Sequence, residues 1–134
     1  MSAMTISQLA TAGGVGVETV RFYQRKGLMF DPKPGSIPGG AGRRHYGDDE
    51  LRRLRFIRKA QRAGFTLEEI AELLALDRSG DRPRARAMAK ARIAALDERI
   101  AELQAARRSL ESLARECAKS DVGACPIIAS FETA

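Results

Sequence analysis

Tryptophan is absent from the 134-residue chain, histidine occurs once, cysteine twice, and aromatic residues make up only 5% of the total. So few large aromatics exclude a single extensive core, and a chain of this kind leans on a partner chain for burial. The sole histidine, His45, sits in a loop-like stretch. No nucleophile–base pair, carboxylate dyad, metal-plus-water set or phosphate-cradling loop can be assembled around it, so the sequence is not that of an enzyme. The apolar runs are far too short to span a bilayer, which excludes a membrane partner. Residues Met1–Thr5 show neither the basic nor the apolar region of a signal peptide, and the expectation is a cytoplasmic protein. In that compartment Cys117 and Cys125 read as a thiol site rather than a structural disulfide.

What is present is positive charge, and it is unevenly placed. Residues 1–64 carry twelve Lys/Arg against five Asp/Glu, whereas residues 65–134 carry eleven against twelve. The positive field belongs to the N-terminal half, as for a module that docks on phosphates.

The same half has the punctuation of a helix-turn-helix. Thr5-Ile6-Ser7-Gln8 fits a capping box, so a short helix is predicted to about Ala12. Gly13-Gly14-Val15-Gly16 forces a turn, and a second helix runs from Val17 to about Lys26, with Gly27 as its stop. Val17 and Val20 face inward, while Glu18, Thr19, Arg21 and Arg25 face out. Phe22 and Tyr23 lie at the seam, and one of them belongs to the core. An ordinary helical hairpin shares this spacing.

Prolines 32, 34 and 38 exclude helix through residues 28–46, leaving a loop or hairpin that ends in Gly42-Arg43-Arg44-His45-Tyr46. Two arginines beside a histidine and a tyrosine suit a wing lying on a DNA backbone. A third helix is predicted over roughly 49–63, capped by Asp48, with Leu51, Leu54, Phe56, Ile57 and Ala60 as its apolar stripe. A second capping box, Thr66 with Glu69, opens a fourth helix to about Leu76, burying Leu67, Ile70, Leu73 and Leu74.

From Pro83 nothing breaks helix until beyond Cys117, a span of roughly 50 Å at 1.5 Å per residue. One heptad seam reads Ile93, Ile100, Arg107, Ala114. Its companion reads Ala89, Leu96, Leu103, Leu110, Cys117. A lone helix with such a stripe must cover it, and residues 1–82 are too compact to do so, which implies a homodimer. Cys117 falls on the seam where the helix gives out. Two thiolates with no histidine nearby favour a linear site for Cu(I), Ag(I), Au(I) or Hg(II), and disfavour zinc, which wants four ligands. A redox switch formed by the same two thiols is the alternative. Ile127 and Ile128 beyond Cys125 need a surface to bury against.

Val17-Glu18-Thr19-Val20-Arg21-Phe22-Tyr23-Gln24-Arg25-Lys26-Gly27-Leu28 resembles the recognition-helix signature of MerR-family transcriptional regulators. Arg43-Arg44-His45-Tyr46 is similar to that family's wing, the segment 55–70 to its second helical pair, and Cys125-Pro126-Ile127-Ile128 to its metal loop. The resemblance covers the whole chain and is strongest to the mercury-responsive branch. It implies a mainly α fold: a winged helix-turn-helix DNA-binding domain over 1–77, a dimerisation helix over 83–117 forming an antiparallel coiled coil, and a metal-binding loop and tail over 118–134. It further implies a soft metal ion as effector, promoter double-stranded DNA and RNA polymerase as partners, and activation by distorting the DNA between promoter elements. The implied DNA-binding set is Thr19, Arg21, Tyr23, Arg25, Lys26, Arg43, Arg44, His45 and Tyr46, and the implied metal ligands are Cys117 and Cys125. Two departures stand out. The mercury branch carries a third cysteine at the start of the dimerisation helix, where this chain has Arg82; copper- and gold-type relatives have serine there. The wing also carries an apparent insertion at Ile37–Gly42.

Overall fold

A computed structural model describes residues 3–31 and 45–133. Arg43, Arg44 and the insertion at Ile37–Gly42 lie outside the described residues. Six helices make up the described fold: α1 (Ile6–Ala12), α2 (Val17–Arg25), α3 (Asp48–Arg62), α4 (Leu67–Ser79), α5 (Arg82–Cys117) and α6 (Pro126–Glu132). The chain divides into two compact units, with the division between Ala85 and Arg86.

In the first unit the capping boxes form as the sequence predicts. Thr5 Oγ1 accepts the Gln8 N–H at 3.2 Å, and Gln8 Oε1 accepts the Thr5 N–H at 2.9 Å. Thr66 and Glu69 do the same for α4, at 3.1 and 2.8 Å. Each box satisfies two donors that helix geometry leaves unpaired. At α3 the expectation shifts by one residue. Gly47, not Asp48, is the cap, and its N–H is taken by Glu50 Oε2 at 2.9 Å. Asp48, Asp49 and Glu50 thereby occupy the first turn, where the helix dipole favours negative charge.

The turn between α1 and α2 is tight for a packing reason. A Cβ placed on Gly13 would collide with the side chain of Leu54, so only glycine lets α1 and α3 approach this closely. Around that contact the core gathers Leu9, Val20, Tyr23, Tyr46, Leu54, Ile57 and Ile70, all buried. Each fully buried aliphatic side chain here stabilises the head by roughly 1.5–3 kcal/mol. Met4 and Tyr46 form an antiparallel bridge through two 2.7 Å backbone hydrogen bonds, closing the start of the chain against the base of the wing. Two expectations are corrected. Phe56 lies off the buried face of α3 and is exposed, and α4 runs on to Ser79 rather than stopping near Leu76.

In the second unit α5 continues unbroken to Cys117, its 36 residues starting one residue before Pro83. Ile93, Ile100, Leu103 and Leu110 stand 57%, 49%, 53% and 42% exposed along it, so a single chain leaves the seam uncovered. Beyond Cys117, where the sequence suggested only loop and tail, the chain folds into α6. Among the described residues no helix is long and apolar enough to cross a membrane.

Candidate DNA-binding face and thiol site

The outer face of α2 is cationic. Arg21, Arg25 and Lys26 are exposed and Thr19 is half-buried beside them. Lys26 Nζ stands 5.6 Å from the centre of the Phe22 ring, a cation–π contact that fixes the direction of an otherwise flexible side chain. Arg25 in the last turn also complements the helix dipole.

The two tyrosines of the expected DNA-binding set do not stand on that outer face. Tyr23 is buried, and its hydroxyl donates to Gln61 Oε1 on α3. Tyr46 is buried as well; its hydroxyl accepts the Gln24 amide N–H at 2.9 Å. The same amide nitrogen donates to the Phe30 carbonyl at 3.2 Å, so Gln24 joins the recognition helix to the segment leading into the wing. The physical reason is the helical register: Tyr23 follows Val20 by three residues and shares its inward face. A polar tip on a buried ring then needs a partner, which α3 supplies. Gln24 and Gln61 went unremarked in the sequence because an isolated amide carries no periodic signal. A further pin comes from Arg53, whose Nη1 donates to the Leu28 carbonyl at 3.1 Å just after α2. His45 is half-buried.

The thiol site is assembled by the end of α5, a loop and the start of α6. Gly123, at φ +94, turns the loop in a conformation that side chains resist. Ser120 Oγ both accepts the Val122 N–H at 3.1 Å and donates to its carbonyl at 3.2 Å, tightening the same turn. Cys125 becomes the residue that caps α6, with Pro126 behind it at the favoured first position. Cys117 and Cys125 come close enough for each thiol to shift the titration of the other.

Their chemistry is unequal. The backbone N–H groups of Ile128 and then Ile127 lower the Cys125 thiol from the ordinary range; burial opposes them, and the Cys117 S–H adds a lesser lowering. Cys117 is pushed up, first because its proton is hydrogen-bonded to Cys125, then by the negative charge that Cys125 carries, then by burial. Glu116, the nearest carboxylate in sequence, is engaged by Lys119 at 3.1 Å. No cluster of three or more His, Cys, Asp or Glu groups occurs among the described residues. The donor set of one chain is therefore two sulfurs, which fits a soft, two-coordinate ion and does not fit zinc.

Two family models match the chain: "MerR HTH family regulatory protein" over residues 4–77 and "MerR, DNA binding" over residues 51–113. The mercuric resistance operon regulatory protein of Pseudomonas fluorescens is 42% identical over 132 residues, covering 96% of this chain and 88% of the relative. Among solved structures, the transcription regulator PbrR691 of Ralstonia metallidurans CH34 in complex with lead(II) superposes with a TM-score of 0.62 at 33% identity, covering 96% of this chain and 98% of that one. The dual function regulator MerR of Bacillus megaterium MB1 in complex with mercury(II) gives 0.63 at 31% identity, covering 97% and 100%.

Proposed function

The chain belongs to the MerR family of metal-responsive transcriptional regulators, and from that membership we propose that it is a homodimer that senses a soft thiophilic metal through Cys117 and Cys125 and activates a resistance promoter by distorting its DNA. It is a regulator and not an enzyme. What supports the metal site is the approach of Cys117 and Cys125 across a loop turned at Gly123, close enough that each thiol shifts the titration of the other.

Hg(II) is the first candidate effector, supported by the mercuric-resistance relative. Cu(I), Ag(I) and Au(I) are the second, supported by the two-sulfur donor set. A metal takes the thiolate forms of both cysteines, and Cys117 in particular must give up its proton, so binding is coupled to proton loss. A redox reading, in which the two thiols close a disulfide, draws on the same contact.

On the DNA side, Thr19, Arg21, Arg25 and Lys26 present the charged face of α2 to the promoter, with Arg43, Arg44 and His45 acting from the wing. Tyr23 and Tyr46 serve it from behind by fixing where α2 stands. RNA polymerase is the partner that reads the distorted promoter.

The experiment is promoter-driven transcription with purified protein and added Hg(II), Cu(I) or Au(I). Cys117→Ser and Cys125→Ser are each expected to abolish the metal response while promoter binding stays intact. Loss of DNA binding in step with metal response would sink the reading. Activation by oxidant in metal-free buffer, with a Cys117–Cys125 disulfide found by mass spectrometry, would favour the redox alternative.

A further inference from the structure

We propose that Gln24 is a positioning residue that couples the recognition helix to the wing, so that its loss harms promoter distortion more than promoter occupancy. The inference rests on the proposed reading of α2 as the DNA-contacting helix and of the proline-rich segment after it as the wing. It adds the residue that ties the two together.

Gln24 stands in the last turn of α2, directly after the buried Tyr23. Its side-chain amide nitrogen carries two hydrogens. One bond goes to the Phe30 carbonyl at 3.2 Å, just before the proline-rich segment. The other goes to the Tyr46 hydroxyl at 2.9 Å, just after it. A single NH2 group on the recognition helix thus ties down both the residue from which the chain departs and the residue at which it returns.

The two tie points are held unequally by the rest of the head. Tyr46 is anchored independently: its ring is buried, and its backbone exchanges two 2.7 Å hydrogen bonds with Met4. On the departing side Leu28 and Met29 are buried, and the Leu28 N–H and carbonyl are bonded to Tyr23 and Arg53. Core packing ends there, since the Phe30 ring is 63% exposed. The Gln24 bond therefore carries the order of the head one residue further, to the start of the wing. Removing it also takes a donor from the buried Tyr46 hydroxyl.

Distortion asks more of such a coupling than occupancy does. A helix and a wing that swivel against each other still neutralise phosphates, so each still adds affinity. Holding the duplex bent or untwisted requires contacts at a fixed spacing, because the DNA pushes back with its deformation energy. A coupling that yields lets the duplex relax while both contacts persist.

The test compares occupancy with activation, using the full-length protein, a promoter it binds, and mercury(II) or copper(I) as inducer. Gln24→Met keeps the length of the side chain and removes both donors. Promoter affinity is expected to fall about tenfold and to be recovered by adding protein. At saturating occupancy, metal-driven transcription should still be at least about threefold lower than with the unaltered protein. Tyr46→Phe removes only one of the two bonds. It should show the same split in milder form and add nothing in the Gln24→Met background. Full activation by saturating Gln24→Met, or a further loss in the double variant, overturns the proposal. Thr66→Ala supplies a head weakened at the α4 cap, and it should activate fully once bound. An equal activation defect in Thr66→Ala would trace the effect to stability and overturn the proposal as well. If the unaltered protein gives no metal-dependent transcription, the reading of the chain as a distorting regulator fails. Normal activation by the unaltered protein and by Gln24→Met alike sinks only the coupling.

Discussion

The hydroxyl of Tyr23 donates to the side-chain oxygen of Gln61, joining the last turn of α2 to the last turn of α3. The Tyr23 ring is core and Gln61 is half-buried, so this bond helps set the pose of the helix whose opposite face carries Arg21, Arg25 and Lys26. Tyr23→Phe keeps the ring and removes the donor, leaving the Gln61 amide oxygen short of a partner. The expected cost is about 1 kcal/mol of head stability, read from urea unfolding. Promoter affinity of the folded protein should fall less than in Arg21→Ala. A larger affinity loss in Tyr23→Phe would place that hydroxyl at the DNA instead.

The exposed cations make a separable prediction. Each of Arg21→Ala and Arg25→Ala removes an exposed positive charge without touching the core. Promoter binding should weaken, and the slope of log affinity against log salt should become shallower by about 1 for each arginine that contacts a phosphate. Unfolding midpoints should stay near those of the unaltered protein. An unchanged salt slope in both variants would remove α2 from the DNA interface.

How these side chains divide between core and surface was only partly legible in the sequence. Helix starts were, because a cap followed three residues later by Gln or Glu satisfies local backbone donors and needs nothing from afar, as at Thr5 and Thr66. The long α5 was legible because its seam repeats without interruption by proline or glycine. Tyr23 was not: its register beside Val20 hinted at burial, but whether Phe22 or Tyr23 turned inward depended on Gln61, 38 residues away. Phe56 misled for a similar reason, being apolar on a face that α3 does not bury. At the thiol site the two cysteines were plain from composition alone. That Cys125 caps a short helix, and so takes two backbone N–H groups, was hidden because α6 spans seven residues, too few for a periodic pattern.

Gly13 offers a test of the packing that positions α2. Gly13→Ala drives a methyl group into the side chain of Leu54, which is fully buried and must shift to admit it. The expected loss is about 1–3 kcal/mol, the usual cost of overpacking a filled core. A companion Leu54→Ala opens space for the new methyl, so the double variant should lose less than the two single losses together. Additive losses, measured by urea unfolding, would mean that the two residues do not meet.

The inequality of the two thiols predicts an order of reaction. Alkylation requires the thiolate, and Cys125 holds its thiolate at lower pH than an ordinary cysteine because Ile128 and Ile127 donate to it. Cys117 must give up a hydrogen-bonded proton beside an existing negative charge, so it titrates later. With limiting iodoacetamide at mildly acid to neutral pH, peptide mapping should find Cys125 modified first. Modification of Cys117 should follow only as pH rises above the ordinary thiol range. Cys125→Ser removes the neighbouring charge and the competing acceptor, and Cys117 should then react at lower pH than in the unaltered protein. Simultaneous modification of both thiols across the pH series would contradict the asymmetry.

Dimerisation through α5 carries the last prediction. Ile100 and Leu103 lie near the middle of the helix and are about half exposed in a single chain, at 49% and 53%. Placed on the seam they meet each other's copies, so a charge at either site is inserted twice, once in each chain. Ile100→Asp with Leu103→Asp would leave four carboxylates facing apolar surface without partners, a cost that exceeds what the remaining seam residues supply. Sedimentation should show a monomer at concentrations where the unaltered chain is dimeric. The helix-turn-helix head should keep its own core, since Leu9, Val20, Leu54, Ile57 and Ile70 lie wholly within the first unit. Promoter affinity should then fall toward that of one half-site, because the two heads no longer share a single binding event. A double variant that sediments as a dimer would show that α5 does not pair along this seam.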